Sequence, residues 1–339
     1  MILNNSTFTL RRIKMSEQRT KARILSVGTY VPDAVLPNSR FESFLDTSDE
    51  WIFTRTGISE RRMVNMPHSA PGGMTAAEMG CRAARVAMER AGVSAGEIDG
   101  IVVATFTPDN FFPSTACRMQ TDLGCTGAFA FDISAACAGF VYALTVASNM
   151  IASGQAETML VVGSEVISKT LDWSDKGTCI LFGDGAGVAV LRADGTGEAG
   201  VASCYISSDG TMGDLLYLPA WGEERFLRMK GNEVFKHAVR MMSDASLKAV
   251  ERAGMKLEDI DLLIPHQANV RIIHAVAESL KLPEEKVVSN INKYGNTSSA
   301  SIPLALEEAW NDGRVKKGGR VLFVGLGGGF TVGSAVCVM

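Results

Sequence analysis

Short, uniformly apolar runs punctuate this chain, separated by segments whose apolar residues recur every three or four positions. The runs are IVVAT (101–105), TMLVVGSEV (158–166), GVAVL (187–191), LLIP (262–265) and RVLFVG (320–325). Their length and Val/Ile content fit strands covered on both faces, and the spacing between them predicts helices. Regular alternation of the two gives an α/β domain with largely buried sheets.

The pattern is written twice. Residues 86–99 read VAMERAGVSAGEID and residues 248–261 read KAVERAGMKLEDID, a shift of 162. That shift also carries Ala143–Leu144 onto Ala305–Leu306. Each copy reads helix, glycine stop, acidic turn and buried strand, the mark of an internal repeat. The expected division is 1–22 as a disordered tail or over-called start, 23–200 as the first half and 201–339 as the second. Met15 opens a plausible alternative start, and the Gly-rich GTGEAGVAS marks the break between halves.

The repeat organises the candidate chemistry. FDISAACAGFVYAL (131–144) places Cys137 at the start of an expected helix, and the shift carries Cys137 onto Ser299 and Ser134 onto Asn296. A pseudo-twofold would bring these two loops together. The helix dipole predicts a lowered Cys137 thiol pKa. Ala135, Ala136, Ala138 and Gly139 leave room for a substrate and for backbone N–H groups to hold an oxyanion. Of the four histidines, His266 alone is delivered by an apolar strand to a strand end, where open α/β sheets place their chemistry. Asn296 follows a glycine and offers a neutral amide, although a plain turn residue fits the spacing equally well. The Gly-rich runs GDGAGVAVL and GLGGGFTVGSAVCVM lack GKS or GKT, and read as places where backbones pack closely.

Composition narrows the class. A formal charge of −4 argues against a nucleic-acid binder. Seven cysteines without a CxxC pair argue against a disulfide framework or zinc ribbon, and point to a reducing cytoplasm. Cysteines 81, 117, 125, 179, 204 and 337 read as structural. His266 has no ligand-spaced partner for a metal. No apolar run approaches the ~20 residues of a membrane helix.

Seven motifs together carry a resemblance: TSDEWIFTRTGISERR, FDISAACAGF, FGDGAG, GNEVFKHAV, PHQANVRII, YGNTSSASIP and GGGFTVGSA. From about Arg23 to Met339 the chain resembles the β-ketoacyl-acyl-carrier-protein synthase III family, the condensing enzymes that start type II fatty acid synthesis. The resemblance implies an α/β thiolase-like fold, two pseudo-symmetric βα halves in an αβαβα core, paired as a homodimer. It implies a catalytic triad at Cys137, His266 and Asn296, with the N–H groups of Cys137 and Gly328 as the oxyanion hole. The implied reaction is ping-pong. An acyl-CoA acylates Cys137, and malonyl-acyl-carrier protein then loses CO2. The resulting enolate, held by His266 and Asn296, attacks the acyl-Cys137. No cofactor is implied, because the CoA thioester and the malonyl-carrier are substrates. Carrier protein and acyl-CoA are therefore the implied partners, with no nucleic acid and no membrane span.

Further positions follow from the same resemblance. Thr47, Trp51, Arg55, Lys176, Asn232 and Ala268 match the CoA channel. Phe112 matches a residue that limits the acyl pocket across the dimer. Arg271, helped by Lys236, matches the carrier-protein docking rim. Lys176 stands where many relatives carry an arginine that stacks on adenine, and lysine lacks that planar group. Leu326 and Val332 replace Phe and Trp of the best-known relatives, and are expected near the active-site loop, reshaping the acyl pocket. Elongating synthases would need a second histidine for Asn296, and thiolases a second catalytic cysteine. A non-catalytic scaffold would show a degraded triad.

Overall fold

The computed structural model describes residues 21–69, 72–222 and 224–339. The expectation for residues 1–20 lies outside the described residues. Lys21 and Ala22, placed in the extension from sequence, already belong to the first strand, where Ala22 pairs with Ala193.

In chain order the first half runs β1 (Lys21–Tyr30), β2 (Val35–Pro37), α1 (Asp49–Thr56), β3 (Glu60–Arg62), α2 (Ala76–Ala91), β4 (Gly100–Ala104), α3 (Thr115–Asp122), β5 (Phe129–Ile133), α4 (Gly139–Ala152), β6 (Thr158–Glu165) and β7 (Gly185–Asp194). The second half runs β8 (Gly200–Ser208), β9 (Leu216–Tyr217), β10 (Arg228–Met229), α5 (Gly231–Arg252), β11 (Leu262–Pro265), α6 (Val270–Ser279), α7 (Ile291–Tyr294), α8 (Ser301–Asn311), β12 (Arg320–Gly327) and β13 (Thr331–Val338). The main sheets are ordered β1-β7-β6-β4-β5 and β8-β13-β12-β11.

The repeat seen in the sequence governs the geometry. At the shift of 162, β6 lands on β12 end to end. The 3-10 turn Ala136–Ala138 lands on Ser298–Ala300, and α4 starts where α8 starts. Both sheets mix the same parallel and antiparallel neighbours. The match fails at β5, whose counterpart segment forms the short helix α7.

Layering follows from which faces are apolar. α4 and α8 are apolar enough to be covered on two sides, and both touch strands of both sheets. Phe140, Leu144, Ile302 and Leu306 pack there with Val161 and Phe323 in one core. α2 and α3 cover the outside of the first sheet, and α5 and α6 that of the second. This is the expected αβαβα order. α2 shows why its boundaries fall where they do: Thr75 and Glu78 form a capping box, and Gly92 ends the helix at φ 63°.

The two halves meet by crossed contacts. Gly163 of β6 lies against Ser299 of the second half, and its equivalent Gly325 of β12 lies against Cys137 of the first. A Cβ on Gly163 would fall 2.3 Å from the Ser299 carbonyl oxygen. Gly163→Ala should therefore destabilise by at least about 2 kcal/mol, since neither backbone can yield cheaply. Gly96→Ala, whose Cβ meets nothing within 4 Å, should leave the melting temperature unchanged. Thermal unfolding of the two variants checks this, and equal shifts would contradict it.

Candidate active site

Cys137 sits in the 3-10 turn between β5 and α4. Its predecessor Ala136 has φ 45°, a left-handed conformation rare for residues with a Cβ. The repeat-equivalent residue Ser298 has φ 51°. Two of the four non-glycine residues with positive φ among the described residues thus occupy matching places at the two converging turns. Strain of this kind persists only where surrounding structure enforces it.

The glycine segment supplies that enforcement. A Cβ on Gly327 would lie 2.6 Å from the Cys137 nitrogen and from the Ala135 carbonyl oxygen. The end of β12 therefore presses directly on the turn, as the close-packing reading expected, and Thr331 Oγ1 donates to the Ala135 carbonyl at 2.9 Å.

His266 follows β11, and its N–H donates to the Val324 carbonyl at 2.8 Å. It is buried, and Nδ1 has no hydrogen-bond partner among the described residues. Its neighbour Gln267 donates to the Pro265 and Val288 carbonyls and accepts from Ser289 Oγ and the Asn290 N–H. This buried amide staples the histidine to the segment that leads into the asparagine turn. In that turn, Asn296 Oδ1 accepts the Ser298 N–H at 2.9 Å. Its amide NH2 makes no hydrogen bond among the described residues, and Asn296 lines the same cavity as Cys137 and His266.

Burial sets the charge state of the site. The Cys137 thiol is pushed up to about 12 by desolvation; the nearby Ser298 hydroxyl eases this rise, and the Glu165 carboxyl adds to it. This corrects the lowered pKa expected from the helix start. The turn is enclosed by backbone from both halves, and removing water from a thiolate outweighs the dipole of one helix. Desolvation holds His266 at about 3, with a weaker opposing contribution from the Ser298 backbone. Both groups are neutral at pH 7.

Two cavities meet at Cys137. One, about 780 Å³, has Cys137, His266 and Asn296 at its base, and Trp51, Arg55, Lys176, Asn232, Lys236, Ala268 and Arg271 along its walls. The other, about 540 Å³, is lined by Phe106, Phe182, Leu216, Leu218, Leu227 and Gly328. The first opens toward cations, and the second is chiefly apolar.

The remaining expected residues divide. The Arg55 guanidinium lies 4.2 Å from the Trp51 ring centre and Lys176 Nζ 4.7 Å, so two cations cover that ring. Lys176 Nζ also donates to the Asp46 carbonyl at 2.6 Å. Asn269 Nδ2 donates to the Arg55 carbonyl and ties α6 to α1. Lys236 is paired with Glu233 at 3.0 Å. Thr47 is not brought to the cavity wall; it lies in the loop before α1 with a buried hydroxyl that has no partner among the described residues. Phe112 is 86% exposed and lines neither cavity of its own chain. Leu326 lines the larger cavity but not the apolar one, and Val332, its cross-strand partner, is buried in the second-half core and lines neither of the two. Neither residue lines the apolar cavity that the expectation had them reshape. Sequence reasoning missed Glu165, Gln267 and Ser298. Glu165 was findable as an acid ending the apolar run TMLVVGSE.

Comparison with known proteins identifies the family. Residues 131–210 match the family model for 3-oxoacyl-[acyl-carrier-protein] synthase III, and residues 250–339 match the model for its C-terminal part. The chain is 48% identical over 328 residues to the β-ketoacyl-[acyl-carrier-protein] synthase III of Xanthomonas euvesicatoria pv. vesicatoria (strain 85-10), covering 94% of this chain and 98% of the relative. The crystal structure of 3-oxoacyl-[acyl-carrier-protein] synthase III from Aquifex aeolicus VF5 superimposes with a TM-score of 0.89 at 46% identity, covering 94% and 100% of the two chains. The priming β-ketosynthase of the R1128 polyketide pathway has the same TM-score, 0.89, at 35% identity, covering 96% and 98%. The chain belongs to the β-ketoacyl-acyl-carrier-protein synthase III family, with its thiolase-like fold.

Proposed function

We propose that Cys137, His266 and Asn296 carry out a decarboxylative Claisen condensation that joins an acyl-CoA primer to malonyl-acyl-carrier protein. The protein is a condensing acyltransferase that catalyses the initiating step of fatty acid synthesis. The observation that carries the residue assignment is the convergence of one thiol, one uncharged imidazole and one amide at the base of a single cavity.

The chemistry balances with these groups. Cys137 sulfur attacks the acyl carbonyl, CoA leaves, and the thiol proton ends on the CoA sulfur. A thiol suits a step that needs a nucleophile now and a leaving group later. Malonyl-carrier then loses its carboxylate as CO2, and the bonding pair becomes an enolate. His266 and Asn296, both neutral, hydrogen-bond the enolate oxygen. The enolate carbon attacks the acyl-Cys137 carbonyl, whose oxygen faces the N–H groups of Cys137 and Gly328. The Cys137 sulfur leaves and regains a proton.

The two cavities suit the two ends of the primer. Trp51, Arg55 and Lys176 offer a ring and two cations for the CoA nucleotide, with Asn232 and Ala268 along the channel; Thr47 contributes through the loop that sets α1. The apolar cavity suits the acyl chain. Arg271 and Lys236 form a basic rim for an acidic carrier protein. A homodimer is supported by β5, which ends the first sheet with Phe129, Phe131 and Ile133 half-buried, and by exposed Phe111, Phe112 and Trp221. In that dimer Phe112 reaches the partner's acyl pocket. Seven free cysteines support a reducing, cytoplasmic setting. No helix among the described residues is long and apolar enough to cross a membrane.

His266→Ala should lower malonyl-carrier decarboxylation by roughly 10²–10³ while acylation falls far less, because the enolate forms only in the second half-reaction. Separate assays of CO2 release and of acyl transfer decide it; equal losses would count against this division. The unligated thiol gives a second test. With its pKa near 12, alkylation of Cys137 by iodoacetamide should rise continuously from pH 7 to 10. A plateau below pH 7, followed by peptide mass, would show a thiolate that burial forbids.

A further inference from the structure

The repeat sets Ser299 where the other half has Cys137, and Glu165 where the other half has Gly327. Gly327 packs its bare backbone against the nucleophile turn. Glu165 carries a carboxyl at the matching position beneath Ser299, fully buried. One carboxyl oxygen, Oε2, receives Thr105 Oγ1 at 3.1 Å, the Phe106 N–H at 3.1 Å, the Thr107 N–H at 3.2 Å and Thr107 Oγ1 at 2.7 Å. The other, Oε1, lies 2.9 Å from Ser299 Oγ, which also lies 2.9 Å from the Ala104 carbonyl oxygen.

Two acceptors face the single Ser299 hydroxyl proton, and a carbonyl can only accept. With Glu165 protonated, Ser299 donates to the Ala104 carbonyl and Oε1 gives Ser299 a proton of its own, so both bonds are made. With Glu165 ionised, the one serine proton serves either Oε1 or Ala104, and one bond is lost. The network is complete when Glu165 is a neutral acid, and none of the ion pairs among the described residues includes it.

We propose that Glu165 is a positioning residue for condensation: its neutral carboxyl bridges Thr105–Thr107 of one half to Ser299 of the other, fixing the asparagine turn, and its ionisation lowers the rate. The proposal rests on the assignment of Cys137, His266 and Asn296 above. Ionisation leaves the single Ser299 proton to serve both Oε1 and the Ala104 carbonyl, so one of the two bonds that fix the turn is lost. It also places a negative charge where it opposes charge on the Cys137 sulfur and on the enolate.

Among the groups that contact it directly, Glu165 is the titrating member. Burial raises it to about 7. Cys137, facing it from the nucleophile turn, and His266 stay neutral from about 3 to about 12. The loop after β4 brings Thr105 and Thr107, and the asparagine turn brings Ser299; none ionises in this range. Asp109 is engaged by the N–H groups of Ala76 and Ala77. Asp184 is a second buried acid, raised by burial to about 6, but it is held by Ser168 and the Val64 N–H rather than by the partners of Glu165, and the glutamine variant at 165 separates the two.

The test is the pH profile of condensation from 5.5 to 9, using the full-length protein with acyl-CoA and malonyl-carrier. The wild-type rate should fall roughly tenfold as pH rises through 7, the size of one charge felt across a few ångströms of protein. Glu165→Ala should lose roughly tenfold at pH 6. Glu165→Gln copies the neutral acid, donating to Ser299 and accepting from Thr105–Thr107, and should restore most of that rate with a flat profile. A glutamine variant that keeps the wild-type fall, or that is no better than alanine at pH 6, would overturn the proposal. Intact mass after acyl-CoA treatment runs alongside: a wild type that is never acylated at Cys137 sinks the catalytic assignment itself, whereas an acylated glutamine variant with an unchanged fall sinks only the role of Glu165.

Discussion

Everything at the site depends on backbone meeting backbone across the pseudo-twofold. Each half ends a central strand against the other half's turn, Gly163 on Ser299 and Gly325 on Cys137. Side chains could not make that approach, because any Cβ would sit inside a neighbouring carbonyl or amide. The contact holds Ala136 and Ser298 in left-handed backbone that neither would adopt alone. It also decides where the thiol, imidazole and amide point, since each hangs from a strand end or from one of these turns. Packing, in this sense, comes before chemistry: the halves must dock before a site exists.

The same enclosure makes the centre electrically quiet. Water is removed from Cys137 and His266, and both stay uncharged. Charge arrives with the substrates. Arg55, Lys176 and Arg271 stand at the mouth, where solvent keeps cations cheap to maintain, while the base holds neutral donors. A buried cation beside the thiol would have stabilised the thiolate permanently, and with it unwanted reactivity. Neutral donors act only once an enolate or oxyanion forms, which is where catalysis gains from them.

Much of this was legible in the chain. The shift of 162 placed β4 and β11, β6 and β12, and the two turns in matching positions, because a duplicated fold preserves local hydrophobic spacing. Cys137, His266 and Asn296 could be singled out because a lone nucleophile among small residues, and a histidine at a strand end, are local patterns. What was not legible depends on contacts distant in sequence. The thiol pKa was read from the helix start alone, and enclosure by Gly325 and Gly327 reverses it. The Trp51 ring is covered by Arg55, four residues on, but also by Lys176 from a remote loop. Thr47 and Val332 were placed by matching positions, and the fold turns both away from the cavity. Glu165 drew no attention because a strand-end acid gains its meaning only from Ser299, 134 residues later.

The central claim is that Cys137 carries the acyl group between donor and acceptor. Its most direct test is the intact mass of the protein after brief exposure to acetyl-CoA and to longer and branched acyl-CoAs, with peptide mapping of any adduct. The expected result is one acyl group on Cys137 from at least one donor, absent in Cys137→Ser and discharged on adding malonyl-carrier protein. No adduct on Cys137 from any donor, or an adduct that malonyl-carrier protein leaves in place, would contradict the account.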